Sequence, residues 1–182
     1  MVIEKENVLN LPRTLAEFML WEPNDGFKYE WNDGELIKFD GMNKKQIRIY
    51  DTLLELFFLK GYKKTGTFVA EYDVQLSGIQ MRRPDIAYLT NDQLDQADKG
   101  QDPIPPFVIE IISENDNINK VLAKISEYYK AGVQIVWLIF PEEKEVHVYS
   151  SRRDVKICIE NDICSAAPVL PEFEIGIDVL FA

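Results

Sequence analysis

The spacing of apolar residues changes several times along the chain, and each change marks an element. "FKYEWNDGELIKF" reads as two β-prone runs about Asp33-Gly34, a strong type I′ hairpin signal. "NKKQIRIYDTLLELFFLKG" repeats Ile47, Tyr50, Leu53, Leu54, Phe57 and Phe58 at helical spacing and stops at Gly61, a natural helix end. "GTFVAEYDVQLSG" then alternates, with Phe68, Ala70, Tyr72, Val74 and Leu76 on one face, and predicts a half-buried strand. After a turn at Ser77-Gly78 comes "RRPDIAYL", a strand with Pro84 at its start, where a missing N–H is tolerated.

Two later runs are apolar almost throughout. "FVIEII" and "QIVWLIF" have the pattern of strands covered on both faces. Between them a helix from about Asp116 to Ala131 ends at Gly132 and buries Ile118, Val121, Leu122, Ile125 and Tyr129. "KEVHVYS" and "DVKICIE" read as more exposed strands, and "PVLPEFEIGIDVLF" is apolar enough to dock on the body. The polar stretch "NDQLDQADKGQDPIPP" predicts a loop with at most one helical turn. Near the start, Thr14 and Glu17 have the spacing of a capping box, opening a short helix to about Trp21. The order of elements gives an α/β (α+β) fold with a mixed sheet flanked by helices and an N-terminal hairpin. At 182 residues, the chain is most simply one domain, 1–182.

Composition narrows the chemistry. The hydrophobic fraction of 46% and charged fraction of 28% are ordinary for a globular protein. No apolar stretch approaches the roughly 20 residues that span a bilayer. The N-terminus lacks the apolar core of a leader peptide, so a cytoplasmic location is expected. Cys158 and Cys164 lack metal or redox spacing and read as reduced, structural thiols. The single histidine, His147, excludes a His-rich zinc site and leaves any Ser or Cys triad one imidazole; it reads as a surface residue on a strand near a sheet edge. Nucleotide-binding glycine loops are absent. Carboxylates, lysines and a metal remain.

The net charge of −11 argues against indiscriminate nucleic-acid binding, but the charge is uneven. Met42 to Lys64 holds six basic residues (Lys44, Lys45, Arg48, Lys60, Lys63, Lys64) against two acids, Asp51 and Glu55. Such a surface suits a phosphate backbone, although charge alone favours a solvated helix face.

Asp85 in "RRPDIAYL" and Glu110 in "PPFVIEIIS" put carboxylates into segments that otherwise want to be dry. Their strands are predicted neighbours. Two readings fit the spacing equally: a shared divalent cation, or an ion pair with Arg82 or Arg83. On the following helix Lys124 lies about 100° from the centre of the apolar face and Lys120 about 140°. Lys124 is the better placed to reach inward, where an ammonium stabilises charge on an attacked phosphate; its plainer reading is a stem covering the core with the head in solvent.

"RRPDIAYL", "PPFVIEIIS", "KISEYYKAGVQIVWLIFP" and the hairpin "FKYEWNDGELIKF", with "PVLPEFEI" near the end, together resemble the Uma2 family of restriction-endonuclease-like proteins, of cyanobacterial type. That resemblance implies a restriction-endonuclease-like fold with a PD-(D/E)xK site, in which Asp85 is the motif aspartate and Glu110 the motif acid. The position two after Glu110, where the motif lysine usually stands, is Ile112, and the lysine of this family matches Lys124 on the next helix. Gln46 stands where relatives often have histidine. The implied activity is metal-dependent hydrolysis of DNA phosphodiesters, with Asp85 and Glu110 ligating Mg²⁺ or Mn²⁺ and Lys124 stabilising charge. DNA would approach over Lys44, Lys45 and Arg48, Glu35 or Glu71 are further candidates for the metal shell, and a homodimer suits two-strand cleavage by analogy. The competing class is a catalytically inactive nuclease-fold protein that binds nucleic acid or another protein.

Overall fold

In the computed structural model, which describes residues 11–114 and 116–182, the apolar runs build a six-stranded mixed sheet. Its strands are β3 (Gly66–Ala70), β6 (Ile86–Thr90), β7 (Phe107–Ile111), β8 (Ile135–Phe140), β9 (Glu145–Ser151) and β10 (Asp154–Cys158). Across the sheet the order is β10-β9-β8-β7-β6-β3, and only β7 and β8 run parallel. The connection between those two is α4 (Ile118–Ala131), the crossover helix that a parallel pair requires. Every residue of β7 is buried, as its unbroken apolar run predicts.

The two faces of the sheet are covered differently. Phe107, Ile109 and Ile111 point to one side, where they meet Ile49, Leu53 and Phe57 of α2 (Lys44–Leu59). The C-terminal strands β11 (Ile163–Ala166) and β12 (Leu170–Gly176), with α5 (Ile177–Leu180), complete that layer, so the tail does dock. Val108, Val136 and Leu138 point to the other side, against Val121, Ile125 and Tyr128 of α4 and against β4 (Val74–Ser77). By alternation Glu110 shares the α4 side with Val108.

A second, four-stranded sheet has the order β2-β1-β5-β4, with β1 (Lys28–Asn32), β2 (Glu35–Phe39) and β5 (Gln80–Arg82). Its hairpin turns at Asp33 (φ 46) and Gly34 (φ 88), the two left-handed residues that a type I′ turn requires. The short α1 (Leu15–Met19) lays Phe18 beside Tyr29, Trp31 and Met81 on this sheet.

Several expectations need correction. The alternating run 66–78 is two strands in different sheets. It breaks at Glu71, whose backbone is left-handed (φ 49) and whose N–H bonds the Asp85 carbonyl at 2.9 Å. Alternation survives the break because both strands are half-buried. "RRPDIAYL" divides likewise: β5 ends at Arg82 and β6 begins at Ile86, so Pro84 and Asp85 lie between sheets.

The predicted loop after Thr90 begins with α3 (Asn91–Ala97), a polar helix without an apolar stripe to reveal it. It is capped instead by Thr90 and Gln93, each bonding the other's backbone N–H. At Thr14 only half a capping box forms, since the Glu17 carboxylate bonds the N–H of Arg13 rather than that of Thr14.

On α2 the buried stripe runs through Gln46, Ile49, Leu53 and Phe57, leaving Ile47 and Phe58 exposed; that helix is apolar on too many sides for spacing to choose one. On α4 the stripe is Val121, Ile125 and Tyr128, while Ile118 and Leu122 are exposed. Rotation toward Tyr128 brings Lys124 close to the buried face. His147 is half-buried on β9 and packs its ring 4.6 Å from that of Phe140.

No helix among the described residues is long and apolar enough to cross a membrane. The expected lack of a leader peptide concerns mainly residues 1–10, which lie outside the described residues.

Candidate active site

Asp85 stands one rung beyond the last pair of the β6–β7 ladder, Ile86 with Ile109, which places it opposite Glu110. Its Oδ2 accepts the N–H of Ile111 at 2.6 Å, so the carboxylate is pinned to the peptide that follows Glu110. Glu110 is 7% exposed, and its Oε1 accepts the Tyr128 hydroxyl at 2.5 Å and the Lys124 ammonium at 3.4 Å, both from α4. Among the described residues, Asp85 Oδ1 and Glu110 Oε2 carry no hydrogen-bond or ion-pair partner. The structure therefore brings Asp85, Glu110 and Lys124 together on the α4 face of the central sheet.

Neither arginine of "RRPD" neutralises Asp85. Arg82 is buried and divides its guanidinium between Glu30 (3.0 Å) and Glu127 (2.7 Å). Arg83 makes a two-pronged pair with Asp73. The ion-pair reading of Asp85 is thus absent among the described residues.

Glu30, from the middle of β1, is a member of the cluster that sequence reasoning missed. It is 1% exposed, lies 2.9 Å from Lys124 Nζ, and accepts from Arg82 and from the N–H of Arg83. In the sequence "YEW" alternates as a half-buried strand would and puts Glu30 on the solvent side, whereas in the structure Tyr29, Glu30 and Trp31 are all buried and the carboxylate needs a cation.

The cluster is short of positive charge. Asp85, Glu110, Glu30 and Glu127 are four carboxylates facing two cations, Arg82 and Lys124. Burial, then the neighbouring Glu110, pushes the Asp85 carboxyl up to about 8. Burial also raises Glu110, against the opposing pull of Lys124. For Lys124, burial works to lower the ammonium's value, but Glu110 and Glu30 outweigh it and leave it raised. The two carboxylates thus favour Lys124 as an ammonium that donates to both.

The predicted nucleic-acid surface flanks the same strand end. Lys44, Lys45 and Arg48 are all exposed on the first turns of α2, around the buried Gln46. Gln46 Nε2 donates to the Ile111 carbonyl at 2.6 Å, which fixes the start of α2 against the end of β7. Lys45 is paired with Glu142, leaving Lys44 and Arg48 without an ion pair among the described residues. Glu35 and Glu71 do not join the carboxylates: Glu35 meets Lys120 at 3.3 Å in the open, and Glu71 meets Lys28 at 3.1 Å and the N–H of Met42.

No curated protein matches the chain. A solved structure from Anabaena variabilis, titled as "a putative nuclease belonging to DUF820", aligns with a TM-score of 0.76 and 23% identity. The alignment covers 93% of this chain and 98% of that one, and it shows a shared fold. The family model Uma2, described as "Putative restriction endonuclease", matches residues 15–179, a span that contains Glu30, Asp85, Glu110 and Lys124; the chain belongs to the Uma2 family.

Proposed function

We propose that this protein is a metal-dependent DNA endonuclease that hydrolyses phosphodiester bonds at Asp85 and Glu110. One observation carries the reading: two carboxylates meet across adjacent strands, each with an oxygen free of partners, and no cation stands on Asp85 among the described residues. Membership of the Uma2 family and the fold shared with the DUF820 protein support the nuclease class.

The donor set fits Mg²⁺ or Mn²⁺. Both free oxygens are hard, and among the described residues no group of three His, Cys, Asp or Glu side chains stands ready for a metal, so this chain would supply two carboxylates alone. Mg²⁺ is ordinarily held by one or two carboxylates and keeps its other positions for water and phosphate oxygens. When bound at such a site, the ion polarises a phosphate and acidifies a water. Asp85 and Glu110 would hold it, with the Ile111 N–H and the Tyr128 hydroxyl fixing their orientation. Lys124 donates toward charge that grows on a phosphate oxygen in the transition state. Lys44, Lys45 and Arg48 supply the cationic approach for the backbone.

A binding module that does not cleave is the second reading, and the observation in its favour is that Lys124 already has two carboxylate partners. Incubation of supercoiled, linear and single-stranded DNA with the protein and Mg²⁺ or Mn²⁺, beside Asp85→Ala, separates the two. Cleavage lost in Asp85→Ala is the expected result. DNA binding without cleavage in any form selects the module.

A further inference from the structure

We propose that Glu30 is the positioning residue of this site: it draws the Lys124 ammonium nearer to itself than to Glu110, loosening the Lys124–Glu110 contact, and so leaves that carboxylate able to take a divalent cation. The inference rests on the metal-dependent reading above. Lys124 Nζ lies between two buried carboxylates, nearer Glu30 Oε1 (2.9 Å) than Glu110 Oε1 (3.4 Å). Both approaches come from one flexible side chain on α4, so its position is a balance between the two acids.

Glu30 is well built for that task. Its Oε2 accepts from Arg82 Nη1 at 3.0 Å, and its Oε1 accepts from the Arg83 N–H at 3.0 Å as well as from Lys124. Arg82 is in turn braced by Glu127, one turn along α4 from Lys124. The carboxylate is thus oriented by three donors, two of them outside α4. Glu110, by contrast, is held by α4 alone, through Tyr128 and Lys124. Without Glu30, the ammonium would keep Glu110 as its one carboxylate partner and close on it. It would then compete with the incoming cation for the same charge, and stand wrongly for a phosphate oxygen.

Mn²⁺ affinity, measured by titration on the full chain, reads this competition directly. Loss of a group that orients a metal ligand typically costs about 10- to 100-fold in metal affinity. Glu30→Gln, which keeps size and an acceptor oxygen for Arg82, should weaken Mn²⁺ binding by at least about tenfold. It should also lower kcat with little change in KM for duplex DNA. Glu30→Gln combined with Lys124→Met should regain the Mn²⁺ affinity, because no ammonium is left to compete, while turnover stays low. Glu30→Asp should fall between wild type and Glu30→Gln.

Wild-type affinity in Glu30→Gln overturns the proposal, and so does a double variant that binds as weakly as the single one. Where Glu30→Gln does not fold, Glu30→Asp with and without Lys124→Met carries the same comparison, and equal affinities in the two overturn it. Wild-type protein that neither binds Mn²⁺ nor cleaves DNA removes the nuclease reading and this inference together, an outcome distinct from the others.

Discussion

Gln46 on α2 donates its side-chain amide to the carbonyl of Ile111, and the N–H of that same Ile111 bonds Asp85. One residue of β7 thereby joins the basic helix to a site carboxylate. The other end of the Gln46 amide accepts the Asn43 N–H and caps its own helix. Gln46→Ala should cost about 1–3 kcal/mol, since it leaves a buried carbonyl without a partner. Urea unfolding would register this as a lower midpoint at unchanged slope. An unaltered midpoint would mean that water replaces the amide without loss.

Divalent metal should stabilise the protein. Binding to the folded form alone raises stability by mass action, about 2.7 kcal/mol at one hundred times the dissociation constant. Thermal melts with Mg²⁺ should show the rise, and Asp85→Ala with Glu110→Ala should abolish it. The effect should depend on pH. A carboxyl raised to about 8 takes up a proton on folding; in the metal-free protein its stabilising contribution is full below its ordinary value of 3.8 and is lost as pH rises through about 8. A bound cation needs the carboxylate instead, so the gain from Mg²⁺ should grow between about pH 6 and about pH 8.5. A gain that is the same at both would take Asp85 out of the site.

Neutralising Lys44, Lys45 and Arg48 should weaken DNA binding and flatten its salt dependence. Each phosphate contact removed takes about 0.9 from the slope of log affinity against log salt. Because Lys45 is occupied by Glu142, most of the change should come from Lys44 and Arg48. A triple variant with the wild-type slope would place the DNA elsewhere.

Lys120 and Lys124 are one turn apart on α4 and should respond oppositely to replacement by methionine. Lys120 pairs with Glu35 where both side chains are mostly exposed, an arrangement ordinarily worth about 0–1 kcal/mol. Lys120→Met should leave cleavage nearly intact. Lys124→Met should lower turnover by on the order of 10²-fold while DNA affinity stays close to wild type, as for a contact made chiefly in the transition state. Turnover unchanged in Lys124→Met, or lost selectively in Lys120→Met, would remove Lys124 from the mechanism.

Much of this was legible from the chain alone, and the misses share a cause. Unbroken apolar runs locate β7 and β8 because both of their faces are buried, and helical spacing locates α2 and α4. The Asp33-Gly34 turn is legible because so few residues tolerate its backbone. Asp85 and Glu110 stand out as acids in apolar surroundings, and Lys124 by its place on a helix. Glu30 is invisible locally: its partners Arg82 and Lys124 come from β5 and α4, and nothing in the hairpin reveals which residues will cover it. The break at Glu71 hides for a similar reason, since alternation tells burial of a face but not which sheet supplies it.

The chain leaves the central sheet after β3 and rejoins it at β6, and those two crossings, 71–73 and 83–85, stand side by side through the bond from Glu71 N–H to the Asp85 carbonyl. The small sheet is joined to the body by these paired crossings, by the 40–43 link from β2 to α2 and by the packing of β4 against α4, with Asp85 at the base of the crossings and Glu30 on the β1 side of the sheet. Proteins open in cooperative units of unequal stability, and the β1–β2 side of the small sheet, packed over a short aromatic cluster, belongs to the weaker class. Amides of β1 and β2 should therefore exchange with solvent before those of β7 and β8. Such an opening carries Glu30 away from Lys124 while the central sheet stays folded. Site integrity and global folding then have separate thermodynamics, and the first can be lost at conditions where the second is untouched.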